Sequence, residues 1–326
     1  MDYTELLCDL EQLLQETYAL WDEGWVTFNW RNYTYDHAQR VRGLAVNLCR
    51  REGGDVMVTE LAALLHDITK PYDGEYKVDE NGKRVVDENG YWQNEVRCPS
   101  RQNAVTELYE ALGLPGTLHN ESGAVLARHL LLERGVSESV TERVAQTIRD
   151  HLIPAEGVPI ESRCLYDADT IDANIGLPAF VRNIYINLHF YDARHAKDGP
   201  PIAKVLRENP VEFLRPYVTE NLPNWSAGKR RDFVPRLLTE AGVRLSEERL
   251  DRLDALFACM AGELDGFSLN GHHACLNAVL HYMMHTDDPV ISAETAYLAR
   301  HWLRPDDAPQ VREFVHHLEQ EMAGNE

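Results

Sequence analysis

Apolar residues recur at three- and four-residue steps along nearly the whole chain, and that period commits most of it to helices packed through one face. It predicts helices at about residues 2 to 22, 36 to 52, 56 to 66, 100 to 112, 118 to 134, 138 to 151, 161 to 174 and 178 to 192. A second set is expected at about 203 to 216, 230 to 241, 246 to 264, 268 to 285, 292 to 302 and 308 to 323. The period breaks between Pro71 and Pro99, where "VDENG" occurs twice, eight residues apart. Asn81-Gly82 and Asn89-Gly90 are type I′ hairpin signals flanked by the β-formers Tyr76, Val78, Val85, Val86 and Tyr91, so a small β-meander inserted into a helical domain is expected. The repeat lacks the full acidic loop of a calcium site, which leaves paired turns as its explanation.

The 326 residues, 44% hydrophobic and 26% charged, are ordinary for a folded, mostly helical protein and exclude a disordered or fibrous one. A net charge of −21 repels nucleic-acid duplexes and anionic membranes at long range. The first residues, "MDYTELLCDLEQLLQETYALWDEGW", read as an amphipathic helix and not as a secretory signal. No stretch approaches the roughly 18 apolar residues of a membrane span. A cytoplasmic protein without a membrane partner is therefore expected. Cys8, Cys49, Cys98, Cys164, Cys259 and Cys275 are far apart with no C-x-x-C, and are read as reduced, mostly buried thiols. Residues 195 to 230, with "HAKDGPPIAK" and "NLPNWSAGK", read as loop-rich, either a domain boundary or a long connection. His281 and His285, four apart on one helix face, have metal-binding spacing, but without an H-E-x-x-H context they are read as incidental to a packed helix.

The chemistry concentrates around "LAALLHDITKP", where His66 and Asp67 stand side by side as an apolar helix runs out. Within a helix, adjacent side chains point about 100° apart and share a ligand with difficulty; at a helix end they can converge. Upstream, in "YDHAQRVRGLAVNLCR", His37 opens a helix whose stripe is Val41, Leu44, Ala45 and Leu48. Downstream, "CLYDADTIDANIG" sets Asp167, Asp169 and Asp172 in an otherwise apolar helix, which is unfavourable unless they are exposed, paired or bound to a cation.

This order of His, His-Asp and a distant Asp resembles the HD superfamily of metal-dependent phosphohydrolases, and the end of the chain is similar to the closing helices of small bacterial HD hydrolases of uncertain substrate. The resemblance implies an all-α HD-domain bundle over residues 31 to 194, with a β insert at about 73 to 98. That bundle is flanked by an N-terminal helical extension over 1 to 30 and by a C-terminal helical region over 195 to 326, either separate or completing the same domain. It also implies metal ligation by His37, His66, Asp67 and Asp169, with Asp167 and then Asp172 as alternatives for the last. His119, at the start of a helix in "LHNESGAVLARHLL", and His151, at the end of one in "VAQTIRDHLIP", resemble the extra ligands of binuclear members, in which the doublet aspartate bridges two ions. His129, ten residues past His119, is assigned no role. Lys70 in "HDITKP" is similar to the family's "HDIGK" lysine that contacts substrate phosphate, although a lysine at a helix C-terminus is favourable in any case. Arg40, one turn after His37, is open to holding a phosphate or pairing with a carboxylate. Thr69 stands where the family commonly has glycine.

The implied cofactor is two divalent transition-metal ions, Fe, Mn, Co, Ni or Zn, with Mg also admitted. The implied reaction is hydrolysis of a phosphomonoester or phosphodiester of a small metabolite or nucleotide, with Asp67, Lys70 and Arg40 as catalytic residues. Two other readings stand beside it: a di-iron oxygenase with the same ligands, and a non-catalytic ligand-binding module.

Overall fold

The computed structural model describes residues 2–21, 31–86, 93–195, 197, 199–267, 275–284 and 309–325. Within these residues the protein is all-α apart from one two-stranded sheet, as the apolar period requires. Its packing divides it into two compact units, Met1–Asp169 and Thr170–Glu326. No helix among the described residues is long and apolar enough to cross a membrane.

In the first unit, α1 (Tyr3–Tyr18) starts from a capping box at Asp2 and Glu5 and buries Leu6, Leu10, Leu14 and Tyr18. It packs against α2 (Arg31–Glu52) and α3 (Val56–Leu65). Arg42 of α2 joins all three, donating to Glu60 of α3 at 2.6 and 2.9 Å and to Glu11 of α1. In α3 every residue from Leu61 to Leu65 is fully buried, so the end of the helix that leads to the doublet is enclosed on every side, while its start is open at Met57. The unit continues with α4 (Ala104–Ala111), α5 (His119–Glu133), α6 (Glu138–Asp150) and α7 (Ile160–Asn174), the last crossing into the second unit.

The insert is a short antiparallel pair, β1 (Asp73–Tyr76) and β2 (Asn94–Val96), with a further bridge between Val78 and Arg84. Gln93 N–H donates to Val85 O and Lys77 N–H to Gln93 O, so three short passes of chain are joined. The first reversal differs from the two-residue turn expected at Asn81-Gly82. Gly82 N–H donates to Asp79 O and Asp79 N–H to Lys83 O, the pattern of a three-residue loop closed by a left-handed glycine, and Gly82 has φ of 75°. The Asp79 carboxylate selects it by accepting from both Asn81 and Lys83 N–H. Asn89-Gly90, with Tyr91 and Trp92, lies outside the described residues. The tip is exposed, with Val78 and Val86 about half accessible. The root is anchored: Tyr72 stacks on Tyr109 of α4 at 3.9 Å, and Trp21 meets Tyr72 edge-on and donates to Arg97 O.

The second unit holds α8 (Leu177–His195), α9 (Ile202–Glu208), α10 (Pro210–Pro216), α11 (Leu222–Asp232), α12 (Glu240–Gly262), α13 (Cys275–Met284) and α14 (Pro309–Ala323). Its core includes Phe180, Leu206, Leu214, Leu250, Leu253, Phe257, Met260, Leu276 and Leu318. The stretch read as loop-rich is largely helical. Pro210 and Pro223 sit in the first turns of α10 and α11, where a missing N–H breaks no helical bond, so proline there marks helix starts and not loop. The helix expected at about 230 to 241 is replaced by the end of α11, a 3-10 turn at Val234–Arg236 and the start of α12. The helix expected at 292 to 302 lies outside the described residues.

Candidate metal centre

Helix ends create the site. Asp55 caps α3 through Met57 and Val58 N–H, and the helix closes at His66. A tight turn follows, in which Lys70 N–H donates to Asp67 O at 2.9 Å. The turn lets the neighbouring side chains converge, His66 Nε2 lying 3.5 Å from Asp67 Oδ2. His119 is the first residue of α5 and His151 closes α6. Those two ends are tied together by Asn120, whose amide donates to Arg149 O at 2.8 Å. Ser162 at the start of α7 donates to Asp150 Oδ2 at 2.7 Å, beside His151. Thr69, in the place of the expected glycine, carries a bond of its own: its hydroxyl donates to His119 O and meets Ser122 Oγ, joining the doublet turn to α5.

Four imidazoles surround one carboxylate. His37 and His66 place Nε2 at 3.6 and 3.5 Å from Asp67 Oδ2, and His119 and His151 place theirs at 3.6 and 3.7 Å from Oδ1. Asp169 joins the first pair, its Oδ1 3.0 Å from His37 Nε2 and 3.9 Å from His66 Nε2. His37, His66 and Asp67 form one group of potential metal ligands, and Asp67, His119 and His151 form another. None of Asp167, Asp169 and Asp172 belongs to either group; Asp167 and Asp172 are buried, and Asp169 is the one whose carboxylate lies within 4 Å of both His37 and His66 in the described ion pairs. His129 is half-buried and also in neither group. His285 lies outside the described residues, as does the side chain of His281.

The separations around Asp67 are too long for charge-assisted hydrogen bonds, which close to about 2.7–2.9 Å. They are near the spacing of about 3.0–3.5 Å between two atoms sharing an ion at roughly 2.1 Å. Nε2 of His66, His119 and His151 and Oδ1 of Asp67 are buried without a hydrogen-bond partner among the described residues. Such orphaned atoms are unfavourable by about 1–3 kcal/mol each unless something else satisfies them. Cations at the two ligand groups would satisfy them, and the residues present fit a metal.

The opposite ring nitrogens are fixed. His66 Nδ1 donates to Ala63 O and His151 Nδ1 to Ile148 O, both at 2.7 Å, which leaves the Nε2 lone pairs facing inward. His119 Nδ1 donates instead to a carboxylate, Asp73 Oδ2, at 2.8 Å. Burial lowers the His66 imidazole, and it pushes His151 down to about 3 with help from neighbouring His66 and His119. For Asp67, burial opposes ionisation, yet the Lys70 ammonium and the imidazoles of His66, His119 and His37 outweigh it and hold the carboxyl well below its ordinary range. Asp169 is also depressed, the hydrogen bond from His37 prevailing over burial. The lowered His66 and His151 and the depressed Asp67 and Asp169 are shifted toward the protonation states that ligation needs.

Lys70 reaches Asp67 Oδ2 at 2.8 Å with its side chain one-quarter exposed, so it links the buried carboxylate to the open side of the site. Arg40 is 1% exposed on α2, one turn beyond His37. Sequence reasoning did not single out Asp73, one acid among several at the start of the insert. Nor did it find Tyr18 of α1, whose phenol is raised by burial and then by the charge of Asp67.

Residues 34–174 match the family model of the HD domain. Among solved structures the chain is similar to YpgQ of Bacillus subtilis, at 16% identity over 82% of this chain and 99% of that one, with a TM-score of 0.39. It is also similar to a predicted HD superfamily hydrolase from an uncultured Thermotogales bacterium, at 24% identity over 69% of this chain and 99% of that one, with a TM-score of 0.38. None of the curated proteins matches it. His37, the His66-Asp67 doublet and Asp169 all meet inside the matched span, so it is the segment matching the HD-domain model that carries the candidate metal ligands.

Proposed function

We propose that the centre is a binuclear metal site that hydrolyses a phosphomonoester or phosphodiester of a small metabolite or nucleotide. The observation that carries this reading is the sharing of Asp67, one carboxylate oxygen facing His37 and His66 and the other facing His119 and His151. Asp67 would be shared by both ligand sets and Asp169 would complete the first, and imidazole with carboxylate suits Fe, Mn, Co, Ni or Zn better than Mg. Bound there, a pair of divalent ions supplies Lewis acidity and an activated water for in-line attack on phosphorus.

Lys70 holds positive charge where the equatorial phosphoryl oxygens gather in the transition state. Its partial exposure lets it exchange the Asp67 carboxylate for substrate. Arg40, one turn beyond His37 and buried with it, adds a second positive charge next to the ligand set. The remainder of the substrate lies toward a polar cavity of about 230 Å³ beside His119, walled by Tyr72, Asp73, Lys77, Gln93, Tyr109 and Thr117. The insert supplies much of that wall, which supports a part for it in substrate choice.

The test is a panel of phosphorylated metabolites with the Mn²⁺- or Fe²⁺-loaded chain, run without oxygen in water enriched in oxygen-18. Labelled phosphate is expected, with Lys70→Ala reducing turnover about 10²-fold at unchanged metal content. A requirement for dioxygen, or unlabelled phosphate, contradicts hydrolysis and favours the oxygenase reading.

A further inference from the structure

Away from the HD centre, in the second unit, α12 and α13 bring together three side chains that sequence spacing had kept apart. Cys259 and Glu263 stand one turn apart near the end of α12, and Cys275 is the first residue of α13. One ligand atom from each lies within 4.8 Å of the others. Cys259 Sγ is 3.5 Å from Glu263 Oε1. A tetrahedral zinc ion with bonds of about 2.3 Å to sulfur and about 2.0 Å to oxygen would set those two atoms about 3.5 Å apart.

We propose that Cys259, Glu263 and Cys275 form a second metal site, selective for a thiophilic divalent cation such as Zn²⁺. Its donors differ in kind from those of the HD centre, where no sulfur is present. Two thiolates and a carboxylate suit a soft or borderline ion, whereas imidazole and carboxylate accept the harder first-row ions as well. Binding releases two thiol protons for each ion and moves no electrons. Three protein donors leave a fourth position for water or another side chain.

Glu263 is already oriented for this role. Its Oε1 accepts Cys275 N–H at 3.1 Å and its Oε2 accepts Leu276 N–H at 2.7 Å, fixing the carboxylate against the first turn of α13. The same helix terminus carries the positive end of the α13 dipole, which favours a thiolate at Cys275. Burial raises both thiols in the metal-free chain, so a cation has to displace their protons. An approach is present in a cavity of about 110 Å³ that touches Cys259 and is lined also by Arg252, Glu313 and His317. The other neighbouring thiols, Cys49 and Cys164, belong to no group of three potential ligands among the described residues, and Cys49 takes its hydrogen bond from the Thr59 hydroxyl.

Cobalt distinguishes this site from the HD centre, because only a thiolate gives the near-ultraviolet sulfur-to-cobalt charge-transfer band. Co²⁺ titrated into the reduced, metal-free full chain should produce that band, saturating at one ion and bleached by Zn²⁺. The band should be lost in Cys259→Ser and in Cys275→Ser, and kept in Asp67→Ala and Cys49→Ser. Its absence from the wild type, or its survival in the double variant C259S/C275S, overturns the proposal and leaves two packed thiols with a capping carboxylate. A measurement on the wild type guards against variants that fail to fold. Zn²⁺ should slow alkylation of Cys259 and Cys275, read by peptide mass, while leaving exposed Cys8 and Cys98 unchanged; equal labelling with and without Zn²⁺ counts against the site.

Discussion

Two buried clusters of charged side chains among the described residues satisfy their polar groups in different ways. In the second unit, Arg249 of α12 and Glu321 of α14 are both completely buried. Glu321 Oε2 accepts Leu177 N–H at 2.6 Å, Arg249 donates to Ile175 O at 3.2 Å, and Arg252 approaches the other oxygen of Glu321 at 3.8 Å. Gly176, at φ of 105°, makes room: a Cβ there would collide with Glu321 Oε2 and lie 2.9 Å from Arg249 Cδ. That network is held by hydrogen bonds to backbone groups and by opposite charges 3.7 to 3.8 Å apart. Around Asp67, by contrast, the four imidazole Nε2 atoms stand off at 3.5 to 3.7 Å, and those of His66, His119 and His151 are buried without a hydrogen-bond partner among the described residues. The first arrangement is what a fold needs to bury charge; the second is complete only when a cation enters. Burial alone therefore does not mark a functional site. Buried acceptors pointing at a common centre do.

The largest effect on the self-satisfied side should come from Glu321→Gln, which leaves Arg249 enclosed without its counter-charge. A loss of about 3–5 kcal/mol in unfolding free energy is expected, with HD-centre metal content unchanged in the fraction that folds. Denaturant unfolding combined with metal analysis checks it. Lost metal at intact stability would mean that the two clusters are not separable as described.

A smaller effect is expected from Asp73→Asn, which keeps the size of the side chain but weakens the acceptor for His119 Nδ1. Affinity for the ion on the His119 and His151 side should fall about 10- to 100-fold, while the ion on the His37 and His66 side is held as before. Competitive chelation resolves the two. Equal weakening of both ions, or of neither, would remove Asp73 from the account and with it the link between the insert and the centre.

Much of this was legible in the sequence, for reasons that differ by region. The helices announce themselves through their period, and the doublet through its place at the end of an apolar run. The choice of Asp169 from three aspartates rested on resemblance to a family pattern, and Asp169 lies 3.0 Å from His37. Asp73 was not legible, because its partner lies 46 residues away and its neighbours include other acids. Cys259 and Cys275 looked isolated, since the approach that joins them belongs to the packing of α12 against α13. Pro223 was misread because proline breaks a helix interior but suits its first turn, and only the position of the helix start separates the two.

The central claim is that Asp67 is a bridge between two ions and not merely a buried ligand of one. Mn²⁺ tests it directly, being poorly suited to thiolates and magnetic enough to report its neighbours. The metal-free chain reconstituted with Mn²⁺ should bind two ions and show the electron paramagnetic resonance of an exchange-coupled pair. In Asp67→Ala the coupled signal should vanish while the helical fold remains. One Mn²⁺ per chain, two that are magnetically independent, or coupling that survives the loss of Asp67 would contradict the account.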